Sequence, residues 1–221
     1  VDFWKIVEKY KITFLEIVPS ILIAILNTDY KDLNQCDISS LKFVGCGSAY
    51  LSKSLQDKFE EKFKIPLANM YGLSETGATH FDNPFMAGRK TGSIGKPLDI
   101  MDVKVLDEEG REVKAGQPGE FAIKGPSLLK GYYKSLDQFE ACFKNGYFLT
   151  GDIGYVDENG IFYYADRKKD LIIKGGVNIV PAQIDDCLLT HECVQDVATV
   201  GKPDMFLGEV IKSYVVLKCS Q

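Results

Sequence analysis

The chain has no surplus of positive charge: 26 Lys and Arg stand against 31 Asp and Glu, a formal net charge of -5. That balance argues against a general nucleic-acid or anionic-membrane surface, although a few local cations would suffice to hold a small anion. No apolar run reaches the roughly 20 residues that a membrane-spanning helix needs. The most apolar stretch, Ile12 to Leu26, carries Glu16 and Pro19 and reads as a core segment, so no transmembrane segment is expected. The opening Val1-Asp2-Phe3-Trp4 is not a basic stretch leading into an apolar one, so the signal-peptide pattern is missing. The six cysteines (36, 46, 142, 187, 193 and 219) follow no framework spacing in a chain large enough to do without staples, which points to a reducing cytoplasm. Cys187, His191 and Cys193 lie close together, but no second cluster supplies a fourth zinc ligand. Ordinary buried thiols are the expectation there. Internal repeats, low-complexity tracts, a P-loop and a Rossmann fingerprint are all absent.

What is present is a globular composition, 45% hydrophobic and 26% charged, enough for a core under a solvated surface. Asp2 can cap a helix with Phe3, Ile6, Val7 and Tyr10 on one face, and Pro19 suits the first turn of a second helix. Leu41 to Val44 reads as a strand that ends in Gly45-Cys46-Gly47. Leu51, Leu55, Phe59 and Phe63 then mark one face of a helix. Ile65 to Asn69 reads as another strand, breaking at Tyr71-Gly72. This alternation predicts part of a mainly parallel sheet with helices over residues 1–91, with ligand sites beyond the carboxyl ends of its strands.

Over 92–168 the pattern changes to strands separated by Gly and Pro turns, including Asp157-Glu158-Asn159-Gly160 ahead of Ile161 to Tyr164. An antiparallel, barrel-like subdomain is expected, interrupted by a short helix from Leu136 to Phe143 capped by Ser135. The charged run Asp166 to Asp170 marks a boundary. Beyond it, 169–221 read as a small α/β lobe in strand-helix-strand-strand order: Leu171 to Ile173, Pro181 to Leu189, Val194 to Val200 and Val210 to Leu217. The predicted class is therefore α/β, with a large domain over 1–168 and a truncated C-terminal lobe.

Four short stretches can carry chemistry. In Tyr71-Gly72-Leu73-Ser74-Glu75, Tyr offers a flat face to a purine and Gly allows close backbone approach. Ser74 can donate to a phosphate oxygen, and Glu75 is a hard oxygen ligand suited to magnesium. Read structurally, the same stretch is a strand-to-helix turn capped by Ser74. Gly45-Cys46-Gly47-Ser48-Ala49-Tyr50-Leu51 is a Gly-rich turn after a strand. Thr150-Gly151-Asp152 is, taken alone, a turn with a capping Asp, and Asp166-Arg167 a surface ion pair of little energetic weight.

Together, and in this order, these motifs resemble the adenylate-forming superfamily of acyl-CoA synthetases, luciferases and peptide-synthetase adenylation domains. The resemblance covers essentially the whole chain. It implies that Tyr71 packs on adenine with Gly72 and Leu73 beside it, that Ser74 touches phosphate, and that Glu75 binds Mg2+. Gly47, Ser48 and Ala49 match the family's Gly-Gly-Ala-Pro-Leu loop lining the adenine and acyl pockets, with Tyr50 where Pro is usual. The resemblance also implies that Asp152 holds the ribose hydroxyls, that Arg167 is a second ribose or phosphate contact of ATP or AMP, and that Lys169 is a hinge. It assigns Lys174-Gly175-Gly176 to the CoA pantetheine tunnel. Gly-Leu-Ser-Glu-Thr and Asp-Arg-Lys-Lys-Asp-Leu-Ile-Ile-Lys-Gly-Gly look like the acyl- and aryl-CoA synthetase branch. The implied activity is ATP-dependent conversion of a carboxylic acid, fatty or aryl, to an acyl-adenylate and then a CoA thioester. Loading of a carrier-protein thiol and a non-catalytic scaffold are the alternatives. The family's Gly-rich loop with Lys and its Pro-Lys-x-x-x-Gly-Lys element are not found. An internal fragment, inactive alone and needing the rest of its chain as partner, is therefore expected.

Overall fold

The computed structural model describes residues 3–28 and 36–218. The chain divides into two compact units. One is built from residues up to Asp102 with Gly125–Lys130 and Gly160–Phe162, the other from Val103–Lys124, Gly131–Asn159 and the residues from Tyr163 on.

The first unit runs α1 (Phe3–Tyr10), β1 (Phe14–Ile17), α2 (Pro19–Asn27), β2 (Phe43–Cys46), α3 (Lys53–Phe63), β3 (Leu67–Leu73), β4 (Gly77–Phe81) and β5 (Lys96–Pro97). These strands form one sheet in sequence order. It is parallel through β1, β2 and β3, as expected, and turns antiparallel at β4 and β5. The core joins Trp4, Val7, Leu22, Ile25, Phe59 and Phe63 of the helices to Ile17, Val44, Cys46 and Leu67 of the strands. The face of α1 differs from the expected one. Trp4 and Val7 are buried, while Ile6 and Tyr10 are 47% and 66% exposed, because the large indole takes the core position. The Asp2 cap lies outside the described residues. Pro19 does open α2, and Ser52 caps α3 by accepting from the Leu55 N–H at 3.2 Å.

In the second unit, β6 (Asp102–Leu106), β7 (Gly119–Lys124), β9 (Tyr147–Val156) and β10 (Phe162–Arg167) form the barrel-like sheet in the order β10-β9-β7-β6, with β8 (Phe143–Lys144) on β9. The intervening helix α4 is only Leu136–Glu140, and Ser135 makes no side-chain cap, so the expected longer capped helix is corrected. A third sheet orders its strands β12-β11-β14-β13, from β11 (Ile172–Lys174), β12 (Val177–Ile179), β13 (Val194–Asp204) and β14 (Gly208–Leu217), with α5 (Pro181–Leu189) on β13. Strand β12 is an addition to the sequence reading. Cys187 and Cys193 are exposed rather than buried thiols. No helix of the described residues is long and apolar enough to cross a membrane.

One buried ionic network fixes the first unit. Asp82 is 1% exposed and takes both a bidentate contact from Arg89 and a 3.0 Å hydrogen bond from Gln56 Nε2. Arg89 also donates to Glu60 Oε1 at 2.8 Å and to the Leu67 carbonyl at 2.7 Å, and Gln56 Oε1 accepts from the Gly92 N–H. Truncating Arg89 leaves the buried Asp82 carboxylate with the Gln56 amide but no cation, which costs about 3–5 kcal/mol. Arg89→Ala is therefore expected to lower unfolding free energy by about that amount in urea melts followed by circular dichroism. Arg89→Lys should recover only part, since an ammonium cannot reproduce the planar fork. A loss below about 1 kcal/mol for Arg89→Ala would show that the network is dispensable.

Candidate functional site

In the first unit, both motif stretches sit at the carboxyl edge of the parallel strands, where open α/β sheets bind ligands. Gly47-Ser48-Ala49 leaves the end of β2, with the Gly47 N–H donating to the Ile17 carbonyl at 3.2 Å. A Cβ on Gly47 would stand 2.8 Å from the Met70 carbonyl oxygen, so only glycine lets this loop lie against the backbone just ahead of Tyr71. Ser48 and Ala49 are exposed, and Ser48 holds a left-handed φ of 66°. The Cys46 thiol beneath them is pushed up to about 12 by burial and by Glu16, so it stays protonated and unreactive.

Strand β3 does not break at Tyr71-Gly72; it continues to Leu73 and turns back into β4. Ser74 therefore caps no helix. The reason is local: a Cβ on Gly72 would meet the Gly77 carbonyl oxygen at 2.2 Å, so this glycine permits a tight hairpin rather than ending a strand. The connection is tied down on each side. The Thr76 N–H donates to the Leu73 carbonyl and the Leu73 N–H to Thr76 Oγ1, each at 3.1 Å. The Leu129 N–H donates to the Glu75 carbonyl at 2.8 Å, and the Ser127 hydroxyl to the Thr76 carbonyl. With its backbone held this way, the loop leaves Ser74 exposed and Glu75 half-buried. Among the described residues there is no cluster of three or more metal-binding side chains. Glu75 is the one carboxylate of this connection, a hard oxygen donor of the kind magnesium takes singly.

Two residues that carry no motif lie beside Tyr71. Tyr71 pairs with His80 and Gly72 with Ala78, so Thr79 is the extra residue of a β-bulge. The Thr79 hydroxyl donates to the Tyr71 carbonyl at 3.3 Å and lies 2.9 Å from His80 Nδ1. His80 is fully buried, its ring 5.4 Å from that of Tyr71 and 4.8 Å from that of Phe162. Burial lowers its imidazolium pKa to about 3.

In the second unit, Thr150-Gly151-Asp152 is not a turn but an irregularity inside β9. Glu120 pairs with Ile153 and Ala122 with Leu149, so β9 accommodates these residues against a shorter stretch of β7. Gly151 at φ 72° absorbs the distortion, and Thr150 Oγ1 donates to the Phe121 carbonyl while accepting from the Asp152 N–H. Asp152 is fully buried and pairs with Arg167, Nε to Oδ1 2.9 Å, so Arg167 has an ion-pair partner other than its neighbour Asp166. The neighbouring Tyr164 phenol is pushed up by burial, then by Asp152 and Asp166, and shares a hydrogen bond with Arg167. Lys174-Gly175-Gly176 belongs to the third sheet. Gly175 and Gly176, at φ 58° and 82°, form the two-residue turn between β11 and β12, and the Gly175 N–H donates to the Leu207 carbonyl at 2.8 Å.

Comparison with known proteins identifies the family to which the chain is similar. The family described as AMP-binding enzyme matches residues 1–133. A long-chain-fatty-acid–CoA ligase of Bacillus subtilis (strain 168) is 40% identical over 215 residues, 97% of this chain and 38% of the relative. The amide bond synthetase McbA from Marinactinospora thermotolerans superposes with a TM-score of 0.91 at 26% identity, over 99% of this chain and 44% of that one. The o-succinylbenzoate CoA synthetase of Bacillus subtilis, solved with its acyl-adenylate intermediate, gives a TM-score of 0.85 at 32% identity, over 100% of this chain and 44% of that one. The chain thus spans about two fifths of the length of the relatives it matches.

His80 sets a pH dependence of stability. Its folded pKa lies below the unfolded value near 6.5, so the unfolded state binds the extra proton. The stabilisation is complete above about pH 6.5 and is lost as pH falls toward 3, at a slope on the order of 1 kcal/mol per pH unit. Urea melts between pH 4 and 7 should show this slope, reduced by about one proton's worth in His80→Asn. Equal slopes in the two proteins would mean that His80 is solvated.

Proposed function

The chain belongs to the AMP-binding enzyme family, and on that premise we propose that it carries the nucleotide-binding part of an ATP-dependent acyl-CoA synthetase. The observation that carries the reading is the Tyr71-to-Glu75 hairpin, tied by Thr76, Ser127 and Leu129 so that a ring, a hydroxyl and a carboxylate are held at one strand end. Residues 1–168 then form part of the large AMP-binding domain and 169–221 part of the small lobe, with Lys169 at the hinge.

In this reading Tyr71 and the Gly47-Ser48-Ala49 backbone hold adenine, with Gly72 and Leu73 completing the pocket wall. Asp152 accepts from the ribose hydroxyls, and its burial favours such donors over water. Arg167, already beside it, contributes a cation toward ribose or phosphate. Ser74 donates to the α-phosphate. Glu75 would hold magnesium, which when bound supplies charge neutralisation at the phosphates. The protein's part in adenylation is therefore electrostatic and positional: it keeps the phosphate, the ribose and the acid's carboxylate fixed while charge shifts to pyrophosphate. Lys174, Gly175 and Gly176 serve the later thiol transfer, with CoA as the acceptor.

The acid is a fatty or aryl carboxylic acid. The B. subtilis fatty-acid and o-succinylbenzoate ligases support a CoA acceptor. The free thiols among the described residues suit a reducing cytoplasm.

We expect the 221-residue chain to bind AMP without catalysing acid-dependent ATP–pyrophosphate exchange. A longer protein containing these residues should catalyse exchange, and Glu75→Ala should lower it by about 10²–10³. AMP titration should show weaker binding in Asp152→Asn. Wild-type exchange in Glu75→Ala, or unchanged AMP affinity in a folded Asp152→Asn, overturns the assignment.

A further inference from the structure

Building on the nucleotide reading of Tyr71, we propose that His80 is a positioning residue: through Thr79 and through direct ring contact it holds the Tyr71 ring and backbone in the attitude that receives the adenine base. No catalytic motif includes His80, and no phosphate or metal chemistry requires it. The argument rests on three features of the β3–β4 pairing.

The first is the bulge. Adjacent residues on a regular strand point to opposite faces, so a Thr79 hydroxyl could not reach a His80 ring nitrogen. The extra residue at Thr79 breaks that alternation and brings the two groups to 2.9 Å. The second is direction. Because the Thr79 hydroxyl gives its proton to the Tyr71 carbonyl, its oxygen is left to accept, and His80 must donate from Nδ1. The chain of donors therefore runs His80 to Thr79 to Tyr71, and it assigns the Nδ1–H tautomer. The third is the ring contact. His80 meets the Tyr71 ring at 64° with centroids 5.4 Å apart and is backed by Phe162 at 4.8 Å. An edge-to-face contact backed by a second ring restricts tilting of the phenol ring, the motion that would spoil a flat surface for a purine. Thr79 and His80 are both fully buried, so the clamp is dry and its hydrogen bonds do not exchange with bulk water.

The test uses adenosine, whose uncharged form isolates the base and ribose from phosphate binding, on the 221-residue chain with folding checked by circular dichroism. His80→Leu, which removes both ring and donor, should weaken adenosine binding about fivefold, within the range of one aromatic pair. His80→Asn, whose amide can replace the Nδ1 donor, should recover most of it, and Thr79→Val should lose part. In a Tyr71→Ala background, His80→Leu should have no further effect. Independently, tyrosine ring carbons labelled with 13C, with Tyr71 assigned by loss of its signal in Tyr71→Phe, should shift or broaden in His80→Leu and Thr79→Val. Equal weakening by His80→Leu with and without Tyr71, or an unmoved Tyr71 ring signal in a folded variant, overturns the proposal. If the wild-type chain does not bind adenosine, the nucleotide reading fails, and the ring signals still decide whether the clamp exists. Should His80→Leu fail to fold, Thr79→Val and His80→Asn carry both measurements.

Discussion

Arg89 and Asp82 form the interaction on which the first unit depends. A carboxylate with 1% of its side chain exposed needs several donors facing it, and here the guanidinium and the Gln56 amide both do. The remaining Arg89 donors reach Glu60 on α3 and the Leu67 carbonyl at the start of β3. One side chain therefore ties a helix, a strand and the loop after β4 together. Apolar groups of equal volume could give similar stability, so stability alone does not account for the network. Unlike an apolar cluster, the fork of Arg89 makes directional bonds to both the Leu67 carbonyl of β3 and the Asp82 carboxylate beyond β4, which favour the observed setting of these strands. That setting places Tyr71 opposite His80 and Thr79 in the bulge.

Strand irregularities then interrupt this regular framework beside Tyr71 and at Asp152. Thr79 is an extra residue in β4, and the Thr150-to-Asp152 stretch is an extension in β9. Each contains a threonine whose hydroxyl bonds a backbone carbonyl, Tyr71 in one case and Phe121 in the other. In each case the threonine hydroxyl adds a bond to a backbone carbonyl beside the irregularity. Gly72 and Gly151 act in the same local economy by different means: Gly72 allows an approach that any Cβ would block, and Gly151 takes a positive φ.

The sequence was most legible where one residue type has one physical use. Pro19 and Pro181 open helices, Ser52 caps one, and the hydrophobic spacing from Leu51 to Phe63 gives α3. The strand-helix alternation and the later Gly-punctuated strands gave the class of each sheet. It was least legible where a residue has two uses. Gly72 reads as a breaker and is a close-approach residue; Thr150-Gly151-Asp152 reads as a turn and is a bulge. Trp4 could not be ranked against Ile6 without knowing which side of α1 meets Phe63. Strand β12 is short and exposed, so periodicity had little to detect, although the paired glycines ahead of it are a hairpin signal. His80 could not be found at all, because a lone histidine in a strand gives no hint that a bulge places its ring beside a tyrosine.

The Asp152–Arg167 pair is asymmetric in its exposure. Asp152 is 1% exposed at its side chain and Arg167 is 46% exposed. The arginine can turn to solvent at little cost, while the carboxylate cannot leave and would be destabilised if left without donors. The half-exposed cation is therefore the adaptable member of the pair, and the buried anion, held by the Thr150 bond to its own backbone N–H, is the fixed one. The arrangement thus keeps one charge fixed in the interior beside a cation that reaches solvent.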